Sequence, residues 1–152
     1  FQVLTQLGLL PDYQSKRSIS LAPNIQGQFL NRWVSMRQPE SSVCQWTKGL
    51  TSIDLPVRHA EGRVICSHPS ILQTLQENGQ IVLQYTEDIN GSTQRIAGIC
   101  DATGLIFGLM PHPEAALYQE TSPIGPTDES MVPAAGLRIF QNIITYCQKV
   151  SS

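Results

Sequence analysis

Two of the chain's three histidines stand in the same local pattern, His59-Ala60-Glu61 and His112-Pro113-Glu114. Pro113 steers the residue before it away from the helical region, so His112 is expected to be extended. In an extended segment, residues two apart project to the same side. Imidazole and carboxylate can then meet. A carboxylate that accepts one ring N–H sets the tautomer and stabilises the cation, which leaves the other nitrogen to take a proton from a nucleophile. Two other readings stay open: each pair is a surface histidine beside a surface acid, or both pairs converge on one zinc ion. Position singles out His112, because it follows the very apolar stretch 105–110. There α/β sheets present reactive groups on loops beyond strand ends. His68 precedes Pro69 at a helix start and reads as a solvated side chain.

A base of this kind needs a nucleophile, and none of the cysteines at 44, 66, 100 and 147 suits the role. Cys100 falls inside an apolar strand pattern and Cys147 on the apolar face of a helix pattern, so both read as small buried hydrophobes. Cys44 and Cys66 have polar surroundings and no glycine-flanked turn to expose a thiolate. Their spacings match no zinc ribbon, redox motif or disulfide scaffold, which points to a reduced, cytoplasmic protein.

The elements that must position these residues belong to a chain of 152 residues, about one domain in length. Its 41% hydrophobic content is enough for one core, which excludes disorder of the whole chain. A net charge of -2 without a basic cluster argues against nucleic acid as a ligand. The longest uncharged apolar run, 102–110, is far short of the ~20 residues of a membrane helix. Charged residues make up only 14%, against about 25% in an average domain, so another protein segment is expected to cover part of the surface. No P-loop or dinucleotide glycine pattern is present, and no cofactor or metal is assigned to the chain.

Phe1, Leu4 and Leu7 recur at helical spacing ahead of Gly8 and Pro11, and no N-cap residue precedes them. Residues 13–31 are polar, residues 29–36 suit a strand, and 37–52 read as a loop. Ile53, Leu55 and Val57 alternate into a polar turn over 58–63. Ser70 and Gln73 form a capping-box pattern for a helix over 71–78, which Gly79 stops. Strands follow at 81–85 and 96–100, separated by the Asn90-Gly91 turn, and the turn at 101–104 makes a hairpin with 105–110. A loop carries Pro123, Gly125, Pro126 and Pro133, and Leu137, Phe140, Ile144 and Cys147 predict a helix over 134–148. Strands interleaved with helices indicate an α/β fold with a mixed sheet.

In order along the chain stand Phe1-Gln2-Val3-Leu4-Thr5-Gln6-Leu7-Gly8, Arg32-Trp33-Val34, Leu55-Pro56-Val57-Arg58-His59-Ala60-Glu61-Gly62-Arg63, Asn90-Gly91-Ser92, Ile96-Ala97-Gly98-Ile99-Cys100-Asp101 and Gly108-Leu109-Met110-Pro111-His112-Pro113-Glu114. This series resembles the class I glutamine amidotransferases, and among them the glutaminase components of phosphoribosylformylglycinamidine synthase. The resemblance implies a flavodoxin-like fold in which residues 1–152 are the C-terminal portion of one domain, with the first parallel strands and the nucleophile turn preceding Phe1. It implies a cysteine three positions before Phe1, His112 as base and Glu114 as the group that orients it. It further implies that Gln2, Arg32 and Trp33 border the glutamine pocket. The partner implied is a synthetase subunit or domain that holds ATP and magnesium and makes formylglycinamidine ribonucleotide. The alternative is a non-catalytic, partner-binding remnant of the same fold. Asn24-Ile25-Gln26-Gly27-Gln28-Phe29 departs from the family's Asn-x-Ser-x-Arg-Phe, and Ala60 replaces a glycine.

Overall fold

The computed structural model describes residues 1–12, 18–119 and 134–151. Among these residues, seven strands and three α-helices follow in the order α1 (Gln2–Gln6), β1 (Ile19–Pro23), β2 (Leu30–Arg37), β3 (Ser52–His59), β4 (Glu61–Cys66), α2 (Pro69–Glu77), β5 (Ile81–Tyr85), β6 (Ile96–Cys100), β7 (Phe107–Leu109) and α3 (Ala135–Val150). Five strands form one sheet in the order β3-β2-β5-β6-β7, and β1 pairs with β4 in a separate ribbon. Each pairing among the described residues is antiparallel. The α/β class holds.

The apolar runs became the central strands because they are buried on both faces. Every residue of β6 is buried. Ile96 and Ile99 join one cluster with Leu21, Val64 and Leu75, whereas Ala97 and Cys100 join another with Val34, Leu55 and Tyr85. Phe1 and Leu4 of α1 pack against the first cluster, but Leu7 is exposed.

Several expectations are corrected. The stretch 13–31 contains β1, and the polar turn expected over 58–63 is a strand end, a one-residue break at Ala60 and the start of β4. Isolated apolar residues such as Ile19, Leu21 and Val64 are buried here by strand pairing across some forty residues, a partnership that local periodicity does not show. The helix near 71 begins at Pro69, and the cap is His68, whose Nδ1 accepts the Ser70 N–H at 3.2 Å. Pro69 lacks an N–H and suits the first helical turn, so the cap falls one step before it. Gln73 donates to Glu77 instead of closing a capping box. The expected strand over 105–110 is confined to Phe107–Leu109. In α3 the buried positions are Gly136 and Ile139, whereas Ile144 and Cys147 are exposed, so the helix is turned away from the face its sequence suggested. The proline-rich loop around Pro123, Gly125, Pro126 and Pro133 lies outside the described residues.

The turn of α3 is set by Gly136, since a Cβ there would stand 2.0 Å from the Pro113 carbonyl oxygen and 2.8 Å from that of Ala116. Both obstacles are backbone, in the short 3-10 turn Pro113–Ala116. Gly136→Ala is therefore expected to destabilise the domain by about 1–3 kcal/mol, despite alanine's better helix propensity. A lowered urea midpoint at unchanged slope checks this, and an unchanged midpoint would contradict the close approach.

Candidate active site

Strand β7 delivers the chain to the site. Met110 N–H donates to the Ala97 carbonyl, and after Pro111 the His112 N–H donates to the Pro56 carbonyl of β3 at 2.9 Å. His112 is extended, at φ -104 and ψ 90, and Pro113 then opens the 3-10 turn. In this geometry His112 Nδ1 lies 2.6 Å from Glu114 Oε1. An ionised carboxylate only accepts, so the proton sits on Nδ1, and Nε2 is the nitrogen available for proton transfer. Both side chains remain partly open, at 37% and 59% exposure, as a pair that meets a substrate must be.

Partial burial works against the Glu114 charge. The hydrogen bond from His112, the residue's own backbone N–H and the charges of His112 and Arg58 outweigh it, and hold the carboxyl below its ordinary range. Arg58 is the residue that the motif reading passed over: it stands in β3 two positions beyond Pro56, so strand alternation places it on the same side.

The other candidates are distributed unevenly. Trp33 pairs across the strands with Pro56, the residue that anchors His112, and packs partly against the core. Arg32 pairs with Val57, and its guanidinium makes a 3.0 Å ion pair with Glu87. Gln2 lines a cavity of about 350 Å³ with Thr5, Gln6, Ile19 and Ser20. The ring of Phe1 lies against Gly108 of β7, four residues before His112, where a Cβ would meet it at 2.6 Å.

His59 and His112 share a motif but not a geometry. His59 Nδ1 is 3.1 Å from Asn24 Oδ1 and does not meet Glu61. Burial first, and then the charge of His112, push the His59 pKa down. Among the described residues, no group of three or more histidine, cysteine, aspartate or glutamate side chains is placed to hold a metal ion.

The four cysteines are unpaired. The hydrogen bond with Cys44 and then burial push the Cys100 thiol up, and burial raises that of Cys66. Cys147 is exposed on α3. Among the described residues, no helix is long and apolar enough to cross a membrane.

The lowered Glu114 pKa carries a definite sign. A carboxyl depressed on folding contributes stability that is present above its unfolded value and is lost as pH falls through the folded one. In a ¹³C carboxyl titration, Glu114 is expected to titrate below an ordinary glutamate and to move upward in His112→Ala. An unchanged midpoint in that variant would remove the pair.

Known proteins resemble this chain over nearly its whole length. The CobB/CobQ-like glutamine amidotransferase domain matches residues 1–147. The phosphoribosylformylglycinamidine synthase subunit PurQ of Methanococcus maripaludis strain C5 is 37% identical over 98% of this chain and 64% of its own length. The subunit of the same name from Dehalococcoides mccartyi is 32% identical over 99% of this chain and 62% of its own. The chain thus spans under two-thirds of the length of these relatives. A solved structure, PurLQS from Thermotoga maritima, superposes with a TM-score of 0.70 at 29% identity, covering 96% of this chain and 57% of that one. With a matched region that runs through the His112–Glu114 pair and nearly the whole chain, the protein belongs to the CobB/CobQ-like glutamine amidotransferase domain family.

Proposed function

We propose that this domain is the greater part of a glutaminase that supplies ammonia to an ATP-dependent synthetase making formylglycinamidine ribonucleotide. The observation that carries this reading is the 2.6 Å contact between His112 Nδ1 and Glu114 Oε1 on a turn anchored to β3. In the proposed reaction His112 Nε2 accepts the proton of a cysteine thiol, and the thiolate adds to the side-chain amide carbon of glutamine. Backbone N–H groups hold the oxyanion. The C–N bond then breaks as His112 returns the proton to the nitrogen, and ammonia leaves. Water, with its proton taken by the same nitrogen, hydrolyses the thioester to glutamate.

The relatives' names support the assignment to formylglycinamidine synthesis, and the PurLQS assembly supports a synthetase partner. ATP and magnesium belong to that partner in this reading, and the setting is the cytoplasm, with which four unpaired cysteines are compatible. The nucleophile is the cysteine that the resemblance sets three residues before Phe1, a span of roughly 10 Å. The packing of Phe1 on β7 supports its arrival near His112. Gln2, Arg32 and Trp33 are proposed substrate contacts; the pairing of Trp33 with Pro56 favours it most. Cys44 and Cys100 are core residues, burial raises the Cys66 thiol, and Cys147 stands near the end of α3, so no cysteine of this segment is proposed as the nucleophile. For this segment alone, the partner-binding remnant is therefore the second reading.

In the complete gene product, His112→Ala is expected to cut glutamine-dependent activity by about 10²–10⁴-fold while leaving synthesis from ammonium salts largely intact. Loss of both activities would assign His112 to folding instead. Purified residues 1–152 are expected to release no ammonia from glutamine. Release that His112→Ala does not change would overturn the mechanism.

A further inference from the structure

We propose that His59 is a positioning residue: with Asn24 it rivets together two neighbouring points at which the chain crosses between the ribbon and the five-stranded sheet, and so sets the start of β2, which carries Arg32 and Trp33. The inference rests on the glutaminase reading for its kinetic consequence and on geometry alone for the rivet.

The two crossings lie side by side. β1 pairs with β4 in the ribbon and β2 with β3 in the sheet, so the chain changes sheets over residues 24–29 and again at Ala60, before a third change through α2 to β5. Asn24 is at the centre. Its backbone N–H donates to the Ala60 carbonyl at 2.8 Å, and its side-chain Nδ2 donates to the carbonyls of Gln28 and His59, each at 2.9 Å. With both amide protons committed, Oδ1 can only accept, and the proton between it and His59 must sit on Nδ1. Asn24 is 3% exposed and His59 6%, so these bonds are shielded from water. Removing one partner leaves the other as an unmatched buried group.

The ring also needs Gly62. A Cβ at that position would stand 2.5 Å from ring Cε1 and Nδ1, so the imidazole lies flat on the backbone of β4. The His59 motif thus works as His-x-x-Gly, with Gly62 making room for the ring. Nε2 is buried without a partner, which leaves an aprotic nitrogen there in the neutral ring. A cationic ring would instead bury a second donor, and this one unmatched, close to the charge of His112.

The test uses the complete gene product. His59→Ala is expected to raise KM for glutamine by about tenfold or more while kcat stays within about threefold, because the reacting pair is untouched. Asparagine places its amide nitrogen where Nδ1 stands, so His59→Asn should recover most of the loss, whereas His59→Gln should not. Equal behaviour of the two, or a fall in kcat with KM unchanged, would overturn the positioning role. A second measurement does not depend on activity. In His59→Ala, amide exchange at Asn24 and Gly27 should quicken by about tenfold or more relative to Leu83 and Ile99 in the sheet. Unchanged exchange there would overturn the rivet. If the unmodified protein hydrolyses no glutamine, the glutaminase reading fails, and the exchange result still decides the rivet.

Discussion

The hydrogen bond from His112 N–H to the Pro56 carbonyl joins the two ends of the sheet. In the order β3-β2-β5-β6-β7, β3 and β7 are opposite edges, yet the residue that follows β7 reaches across to β3. The sheet must curl strongly for this to happen, in the sense that the twist of antiparallel strands allows. Proline is tolerated at such an edge because it lacks the N–H that a neighbouring strand would demand, and its carbonyl remains to accept. One such bond contributes only ~1 kcal/mol to stability, but its geometric effect is larger. It brings Trp33, Arg58 and the His112 turn to one place from three strands.

The His112–Glu114 pair itself needs little from this arrangement. Pro113 extends His112, and the 3-10 turn brings Glu114 back under the ring within three residues. What the fold adds is the surroundings. Arg58 helps keep Glu114 ionised, and α3 presses on the turn through Gly136, which confines the pair to one side of the sheet edge.

The contrast between the two His-x-Glu motifs shows how much one intervening residue decides. At His112 the intervening Pro113 starts a turn that folds carboxylate onto imidazole. At His59 the intervening Ala60 is the point where the chain leaves one sheet for another, so histidine and glutamate belong to different strands and do not meet. The same tripeptide pattern gives a hydrogen-bonded histidine–glutamate pair in one place and a buried histidine held by Asn24 in the other.

The sequence by itself determined the elements whose cause is local. β5 and β6 follow from continuous apolar runs, the hairpin into β7 from the Asp101-Ala102-Thr103-Gly104 turn, and the His112–Glu114 contact from Pro113. Tertiary structure alone decided the β1–β4 ribbon, the face that α3 buries and the meeting of β3 with the end of β7. Each depends on partners twenty or more residues away. Ile19, Leu21 and Val64 carry no periodicity that names their partners. The apolar residues of α3 could serve either face until the backbone carbonyls of Pro113 and Ala116 admitted only the glycine. Hydrophobic pattern sets what must be buried, and close packing between distant segments decides where.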